Sequence, residues 1–360
     1  MNRQPIHKLI FTFVFSLFLF SFTYGQQGDE QMQAHFINVG QADATLLEFP
    51  CGAILIDAGA QDVTAQLSLI QYLKNFFARR IDLNNTIDLV VISHDHIDHD
   101  FALGAVAQNF HIRNYIDNGH TRGSGEPNQG KMEKLARTTG ISYENISFEQ
   151  VTAGGNHSGL TDGIIEPLHC SVISPQIQVL SGRFQTMPAG WQQADYANEN
   201  NHSLVVRVQF GKATFLFTGD LETAGDKQLI NFYGTQGALD VDVWKVSHHG
   251  AVNGTSLPWL NAITPKYAVI CCGQWNYGQG PPIKTFSTYA YGHPRTVTLT
   301  ALQQIIPGNR DQPLTVKAAN AQYKFNDFMV TKNIYATAWD GNITIQATSN
   351  GNYTVVTNDQ

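Results

Sequence analysis

Charged residues are scarce in this sequence of 360 residues. Asp, Glu, Lys and Arg make up 14% of the chain, whereas soluble domains usually carry about 25%. The balance is acidic, with 22 Lys and Arg against 29 Asp and Glu, which gives a formal net charge of −7. A broad positive surface for duplex nucleic acid is therefore not expected. A small positive site is still compatible with this acidic balance, because a bound metal ion supplies positive charge itself.

Cysteine is also rare, with residues only at Cys51, Cys170, Cys271 and Cys272. None of them has CxxC spacing, which excludes a zinc ribbon. Cys271 and Cys272 are neighbours in an apolar run, so they would point to opposite faces of a strand. The sequence favours buried core thiols. A disulfide between two of the four is the alternative, since an exported chain could form one.

Long hydrophobic runs are absent except near the N-terminus. There, Arg3 and Lys8 precede the apolar block Leu9–Phe22, and the small-residue segment TYG follows. This order predicts a secretory signal peptide over residues 1–25. The alternative is an N-terminal membrane anchor, but the block is short for a span. We therefore expect an exported protein, periplasmic or secreted, with a net charge of −9 after cleavage and no integral membrane segment.

Strand-like and helix-like segments alternate imperfectly along the rest of the chain. Residues 62–80 show helical periodicity, and residues 87–93 form a continuous apolar run typical of a strand buried on both faces. Residues 113–200 are less regular and rich in loops. The pattern predicts an α/β (α+β) protein with two mixed sheets and helices outside. We expect a catalytic domain over residues 30–310 and a β-rich extension over residues 311–360.

Polar side chains follow three of the apolar strands. Strand ends hold side chains rigidly at one edge of a sheet, which a metal site needs. Alone, the second and third groups would be ordinary turn residues, but the spacing HxHxDH in the first group favours metal binding. The three groups are His94-x-His96-x-Asp98-His99, Thr218-Gly219-Asp220 and Ser247-His248-His249-Gly250.

The spacing predicts a site for two ions. His94 and His96 are two apart and can share one ion, whereas Asp98 and His99 lie on the following turn and can reach a second. Two ions about 3.5–4 Å apart need a bridging anion, and Asp220 is the candidate. Imidazole with carboxylate favours zinc, with manganese or iron as alternatives.

Several motifs together resemble the metallo-β-lactamase fold superfamily. The resemblance is greatest to the exported domain of the ComEC-type DNA-internalisation proteins and covers residues 34–305; the segment at 334–345 is also similar to tails of stand-alone members. It implies an αββα sandwich of two mixed β-sheets flanked by helices, with a small C-terminal β extension. The motifs are FINVGQADATLLEF, ILIDAG, SHDHIDHD, NNHSLVVRV, FLFTGDLE, WKVSHHG and YGHP.

The resemblance also implies roles for individual residues. The first metal ion would be held by His94, His96 and His202. The second would be held by Asp98, His99 and His248, with Asp220 bridging. Catalytic roles would fall to Asp98, Asp220, His249 and His293, of which the two histidines would contact a phosphate or protonate a leaving group.

Four points are left open by this sequence. Competence-type members often lack a histidine at the position of His202. The chain has NVGQAD where the family usually has DVGQGD, and an insertion at residues 274–290 precedes His293 and puts its placement in question. Asp57 is either a simple turn acid or a carboxylate that orients the ligands from behind.

The combined pattern predicts a metal-dependent hydrolase. Two ions would lower the pKa of a bound water from 15.7 toward about 7 and so supply hydroxide at neutral pH. A phosphodiester substrate is favoured because His249 and His293 would add donors where phosphate charge builds. The acidic net charge favours a small or single-stranded substrate.

Two alternative functions remain open. One is hydrolysis of a lactam, lactone or thioester on the same fold, and the other is a non-catalytic metal-holding module. Aromatic side chains at Trp191, Tyr196, Trp275 and Tyr277 could stack on bases or sugars, although ordinary packing is favoured. The sequence does not indicate the oligomeric state.

Overall fold

The structure is a computed structural model that describes residue 1 and residues 30–119, 122–234 and 237–357. The predicted signal peptide over residues 1–25 lies outside the described residues, apart from Met1.

The strands are given first, in chain order: β1 (Gln31–Phe36), β2 (Ala44–Phe49), β3 (Gly52–Ala58), β4 (Thr86–Val91), β5 (His111–Asp117), β6 (Ser142–Asn145), β7 (Gln176–Ser181), β8 (Val205–Phe210), β9 (Ala213–Phe217), β10 (Val243–Lys245), β11 (Tyr267–Ile270), β12 (Asn309–Ala321), β13 (Lys324–Lys332), β14 (Ile334–Ala336), β15 (Ile343–Thr348) and β16 (Tyr353–Thr357).

The α-helices follow in the same order: α1 (Val63–Arg79), α2 (Ile97–Asp100), α3 (Leu103–Asn109), α4 (Glu126–Thr139), α5 (Phe148–Val151), α6 (Gln193–Tyr196), α7 (Thr223–Tyr233), α8 (Leu257–Ile263), α9 (Thr288–Tyr291), α10 (Thr296–Ile305) and α11 (Thr337–Asp340).

Two mixed sheets form the centre of the molecule. The first has the order β16–β15–β1–β2–β3–β4–β5–β6, and the second has the order β14–β11–β10–β9–β8–β7. Strands β12 and β13 pair only with each other among the described strands. In the first sheet β3, β4 and β5 run parallel, while β1 and β2 pair antiparallel with their neighbours.

The central strands β2, β3 and β4 of the first sheet are buried on both faces, which explains their continuous apolar runs. Successive strand residues point to opposite faces. Leu89 of β4 therefore packs in the core between the sheets, with Phe215 of the second sheet, and its neighbour Val90 packs with helix α1 through Leu69. The second sheet is covered on its outer face in the same way, where Trp244 contacts a cluster that includes residues of α8 and α10. The predicted αββα sandwich is confirmed.

The C-terminal strands are members of this sandwich. Strand β14 lies beside β11 in the second sheet. Strand β15 pairs antiparallel with β1, from Gln31 opposite Thr348 to Phe36 opposite Ile343. The segment that the sequence marks as a β-rich extension therefore completes both sheets, and residue 310 falls inside β12.

The cysteines divide into two pairs. Cys51 and Cys170 form a disulfide between positions 119 residues apart, so this pair has the disulfide that the sequence left open as the alternative to buried thiols. The fold brings the β2–β3 turn against the irregular segment before β7, a juxtaposition that sequence spacing does not show. Cys271 and Cys272 are free and buried on opposite faces, in the core between the sheets and in the outer core respectively. None of the helices in the described ranges is long and apolar enough to span a bilayer.

Candidate metal centre

The predicted polar groups lie at one edge of the sandwich, where β3, β4, β9 and β10 end. Asp57 stands near the end of β3, and the segment from Ser93 to His99 follows β4. Asp220 comes three residues after β9, and the 3₁₀ turn Ser247–Gly250 begins two residues after β10. Both sheets therefore contribute side chains to the same cluster.

Asp57 anchors the first half of this cluster. Its backbone adopts a left-handed conformation with φ of 58°, and its carboxylate accepts hydrogen bonds from the Ser93 backbone N–H at 2.7 Å and the Ser93 hydroxyl at 3.0 Å. The same carboxylate accepts from Nδ1 of His99 at 2.8 Å. The proton of His99 is thus held on Nδ1, so Nε2 is left to bind a metal, which is how a carboxylate behind an imidazole orients it.

His249 has the same arrangement with a different acceptor. Its Nδ1 donates to the backbone carbonyl of Cys271 at 2.8 Å. Its Nε2 lies 3.3 Å from Oδ2 of Asp98 and 3.6 Å from Oδ2 of Asp220. On the other side, Oδ1 of Asp220 lies 3.1 Å from Nε2 of His99. Asp220 therefore lies between the two imidazoles.

His94 and His96 come together as neighbours of this group. Nε2 of His94 lies 3.1 Å from Nδ1 of His96, and the ring centroids of His94 and His99 are 4.2 Å apart. Burial, reinforced by the charges of His99 and His96, lowers the pKa of His94 well below its usual range. His94 is thus neutral at neutral pH, with a lone pair available.

Electrostatics at the cluster is dominated by buried carboxylates. Burial alone would lower the pKa of His249, but Asp220 and then Asp43 and Asp98 raise it to about 9. Asp220 and Asp57 likewise raise the pKa of His99 well above its usual range against the effect of burial. Burial acts against ionisation of Asp220, yet the surrounding histidines, His99 first, hold its pKa well below the usual range.

The donor set fits a divalent cation. Ligand atoms of Asp43, His99, Asp220 and His249 lie within 4.8 Å of one another, and all four residues are buried. Nε2 of His99 and Oδ1 of Asp220 have no partner in hydrogen-bonding geometry among the described residues. Buried polar atoms of this kind are costly unless something binds them, and imidazole nitrogens with carboxylate oxygens are ligands for zinc, iron or manganese.

His202 is not part of the cluster, contrary to the prediction. Its Nδ1 accepts from the backbone N–H of Phe184 at 3.1 Å, and its Nε2 donates to the carbonyl of Tyr196 at 2.8 Å. The ring is buried against Phe184, Trp191 and Tyr196. Both nitrogens are committed to backbone groups, so His202 stabilises the loop before β8.

The neighbouring histidines His248 and His249 differ in burial and in their distance from Asp220. Nδ1 of His248 lies 3.3 Å from Glu222, its Nε2 lies 3.8 Å from Asp220, and its side chain is partly exposed. His249 is buried and has the shorter distance to Asp220. The prediction gave the metal to His248 and gave His249 a catalytic role toward a phosphate or a leaving group, whereas the structure places His249 at the centre of the cluster and His248 at its edge. Both residues have positive φ, 51° and 52°, so strand alternation does not predict their directions.

His293 reaches the site despite the insertion before it. Its ring centroid lies 5.4 Å from that of His248 and 6.4 Å from that of His249. Burial, with added repulsion from His248 and His249, lowers its pKa well below the usual range. His293 is therefore a neutral imidazole beside the candidate metal ligands.

Two residues of the site were not predicted, Asp43 and Lys245. The buried ammonium group of Lys245 contacts the Asp43 carboxylate and donates to the carbonyl of Gly219 at 3.0 Å. It also lies 3.9 Å from Oδ1 of Asp220. A lysine inside the apolar run VDVWKV, and the acid of NVGQAD, were the available signals, because a charge is seldom buried in a strand unless it is paired.

A pocket of about 600 Å³ opens over the cluster. Its floor includes Asp98, Asp220, His248 and His249, and its wall includes residues from the loop before His293. The aromatic residues singled out from the sequence lie elsewhere: Trp191 packs on Phe184 and Trp275 packs on Phe325.

Comparison with known proteins defines the class. Residues 37–274 match the metallo-beta-lactamase superfamily, so the chain belongs to that family, whose members are mostly metal-dependent hydrolases and whose fold commonly binds two metal ions.

The chain is similar, among others, to two curated proteins and to one solved structure. The chain is 24% identical to ComE operon protein 3 of Bacillus subtilis over 338 residues, covering 90% of this chain and 36% of that one. It is 40% identical over 154 residues to Competence protein ComA of Neisseria gonorrhoeae, covering 42% of this chain and 21% of that one. The chain thus spans about a third or less of these relatives. Among solved structures, CmlA, a diiron beta-hydroxylase from Streptomyces venezuelae, is 13% identical, with a TM-score of 0.44 and coverage of 77% and 51%.

Proposed function

We propose that the chain is an exported, metal-dependent phosphodiesterase that acts on small or single-stranded nucleic acid. The observation that carries this proposal is the placement of four histidines around Asp220. His99 and His249 present one nitrogen each toward its carboxylate, while His248 and His293 line the pocket beside them. An acyl substrate needs no such additional donors, whereas a phosphodiester carries charge on several oxygens.

The ligand assignment follows from the directions of the side chains. Asp98, His99 and His249 would hold one ion, His94 and His96 the other, and Asp220 would lie between them. Asp43 is within reach of His99 and His249 but is paired with Lys245. Zinc is favoured because most of these ligand atoms are imidazole nitrogens, and manganese or iron are the alternatives. A bound divalent ion supplies Lewis acidity and lowers the pKa of water.

The chain's own residues have separate tasks. Asp57 and the Cys271 carbonyl fix the tautomers of His99 and His249. Lys245 holds Asp43 and balances part of the negative charge near Asp220. His293 is neutral and buried at the pocket, so it can accept a proton or donate a hydrogen bond from its ring N–H to a substrate oxygen. The partly exposed His248 can donate to a phosphate oxygen.

Two further observations support the substrate and the compartment. The relatives named for competence favour a nucleic-acid substrate, and the net charge of −7 favours short or single strands over a long duplex. The Cys51–Cys170 disulfide favours an oxidising compartment outside the cytoplasm, because such bonds persist there.

The test is a parallel assay on purified protein whose metal content has been measured. We expect hydrolysis of bis(p-nitrophenyl) phosphate with added manganese or zinc, and loss of that activity in the His94→Ala and Asp220→Asn variants. Hydrolysis of a β-lactam or a thioester in place of the phosphodiester would contradict the proposal. Absence of bound metal would favour the non-catalytic module.

A further inference from the structure

A row of aromatic rings connects the mouth of the pocket to the metal cluster. Phe286 and Tyr291 both line the pocket, with ring centroids 6.3 Å apart. Tyr291 stacks on His293 at 5.8 Å with an interplanar angle of 21°. His293 in turn lies 6.4 Å from His249 at 23°. The two innermost steps of the row are nearly parallel.

The insertion at residues 274–290 supplies the outer end of this row. Its other aromatic side chains are used within the protein: Trp275 and Tyr289 pack against Phe325, and Tyr277 donates to Asp62. Phe286 differs from them because 77% of its surface is exposed, at the lining of the pocket. Exposing a phenylalanine ring forgoes the stabilisation that burial would give, so packing does not explain its position.

The rest of the lining suits a planar, polar-edged group. Ile97 of α2 is a second exposed apolar side chain of the same pocket, with 43% of its surface exposed. The side chains of Gln61 and Asn200 line it as well and offer amide donors and acceptors. A volume of about 600 Å³ lies in the range of small-molecule sites and exceeds what a phosphate group alone would fill.

We propose that Phe286 and Tyr291 form a stacking subsite for the nucleobase next to the scissile phosphate. This inference rests on the proposed phosphodiesterase function and assigns the inserted segment to substrate recognition. With the phosphate at the metal cluster, the base lies against the rings of the wall. Stacking on an aromatic side chain tolerates every base, because each has a π-face, so the subsite selects nucleotides without selecting sequence.

The test compares two esters with the same leaving group, thymidine 5′-(p-nitrophenyl phosphate) and methyl p-nitrophenyl phosphate. In Phe286→Ala, the ratio of kcat/KM for the nucleoside ester to that for the methyl ester should fall about tenfold. The change should appear mainly in KM. Phe286→Trp should keep the ratio. The matched control is Met329→Ala, since Met329 is also exposed, at 59%, but lies on β13 and not at the pocket.

An unchanged ratio in Phe286→Ala would overturn the inference while leaving the phosphodiesterase proposal intact. If the wild-type protein hydrolyses neither ester, the proposed function fails, and the subsite is tested by binding of thymidine 5′-monophosphate to the metal-loaded protein. Weaker binding by about tenfold in Phe286→Ala would then support stacking, and equal binding would overturn it.

Discussion

Two buried histidines, His202 and His249, lie in short 3₁₀ turns at the same edge of the sandwich, yet they use their ring nitrogens differently. His202 has one backbone partner for each nitrogen. His249 has a backbone partner for Nδ1 and presents Nε2 to carboxylates. A buried histidine is thus available to a metal when the protein commits one nitrogen, and it is structural when the protein commits both.

The largest effect should come from removing the metal-facing ring. Structural zinc sites bind with about 10–16 kcal/mol shared among their ligands, so losing one ligand should weaken binding by roughly 100-fold or more. We therefore expect His249→Ala to lose metal on dialysis and to lose activity. Metal analysis and a chelator-competition titration measure this. Full metal content in His249→Ala would show that His249 is not a metal ligand and would contradict its contrast with His202.

The proton on His249 should compete with the metal. Because the carboxylates raise the pKa of His249 to about 9, the ring binds a proton throughout the neutral range and must lose it to bind the ion. The raised pKa of His99 adds a second competing proton, so metal affinity should rise by at least roughly tenfold per pH unit from pH 6 toward 9. Manganese titrations at several pH values measure the slope. An affinity that does not change over this range would contradict the assignment.

His202 should make no contribution to that slope. Burial lowers its pKa, and each of its nitrogens has a backbone partner. The His202→Leu variant should therefore show the same pH dependence of metal affinity as the wild type. It is the control for the titration.

A smaller effect is expected from the anchor behind His99. Asp57→Asn keeps the size of the side chain but removes the charged acceptor of the Nδ1 proton. Loss of such an orienting group typically costs about 10–100-fold in metal affinity or activity. Asp88→Asn is the matched control, since Asp88 is a buried acid in β4 that pairs with Arg113. Equal metal affinities in the two variants would show that Asp57 is only a turn residue.

The smallest effect on the metal should come from His202→Leu. This variant leaves the Phe184 N–H and the Tyr196 carbonyl without their partner, and each unpaired buried group costs about 1–3 kcal/mol of stability. We expect a lower midpoint of urea denaturation with unchanged metal content. Loss of metal with unchanged stability in His202→Leu would contradict the structural role assigned to His202 and would indicate that it binds the metal.

The HxHxDH cluster could be predicted because it depends on local spacing, whereas the strand pattern predicted two mixed sheets and the family resemblance implied their αββα arrangement. Apolar strand runs and side chains two residues apart have few geometries. Sequence reasoning did not place His202, whose direction depends on backbone groups of Phe184 and Tyr196. It exchanged His248 and His249 because two consecutive positive φ values break the alternation. The disulfide and the Lys245–Asp43 pair join segments that only the fold brings together.

The pairing of β1 with β15 sets the order in which the molecule can be completed. One of the earliest strands of the described chain has its hydrogen-bonding partner more than 300 residues later. A ribosome, or a translocation channel that admits the N-terminus first, must deliver nearly the whole polypeptide before this edge is covered. Until then, β1 presents an unpaired strand edge that is open to aggregation. The last strands act as a closing step, so a chain interrupted before residue 343 would lack the strand that seals its first sheet.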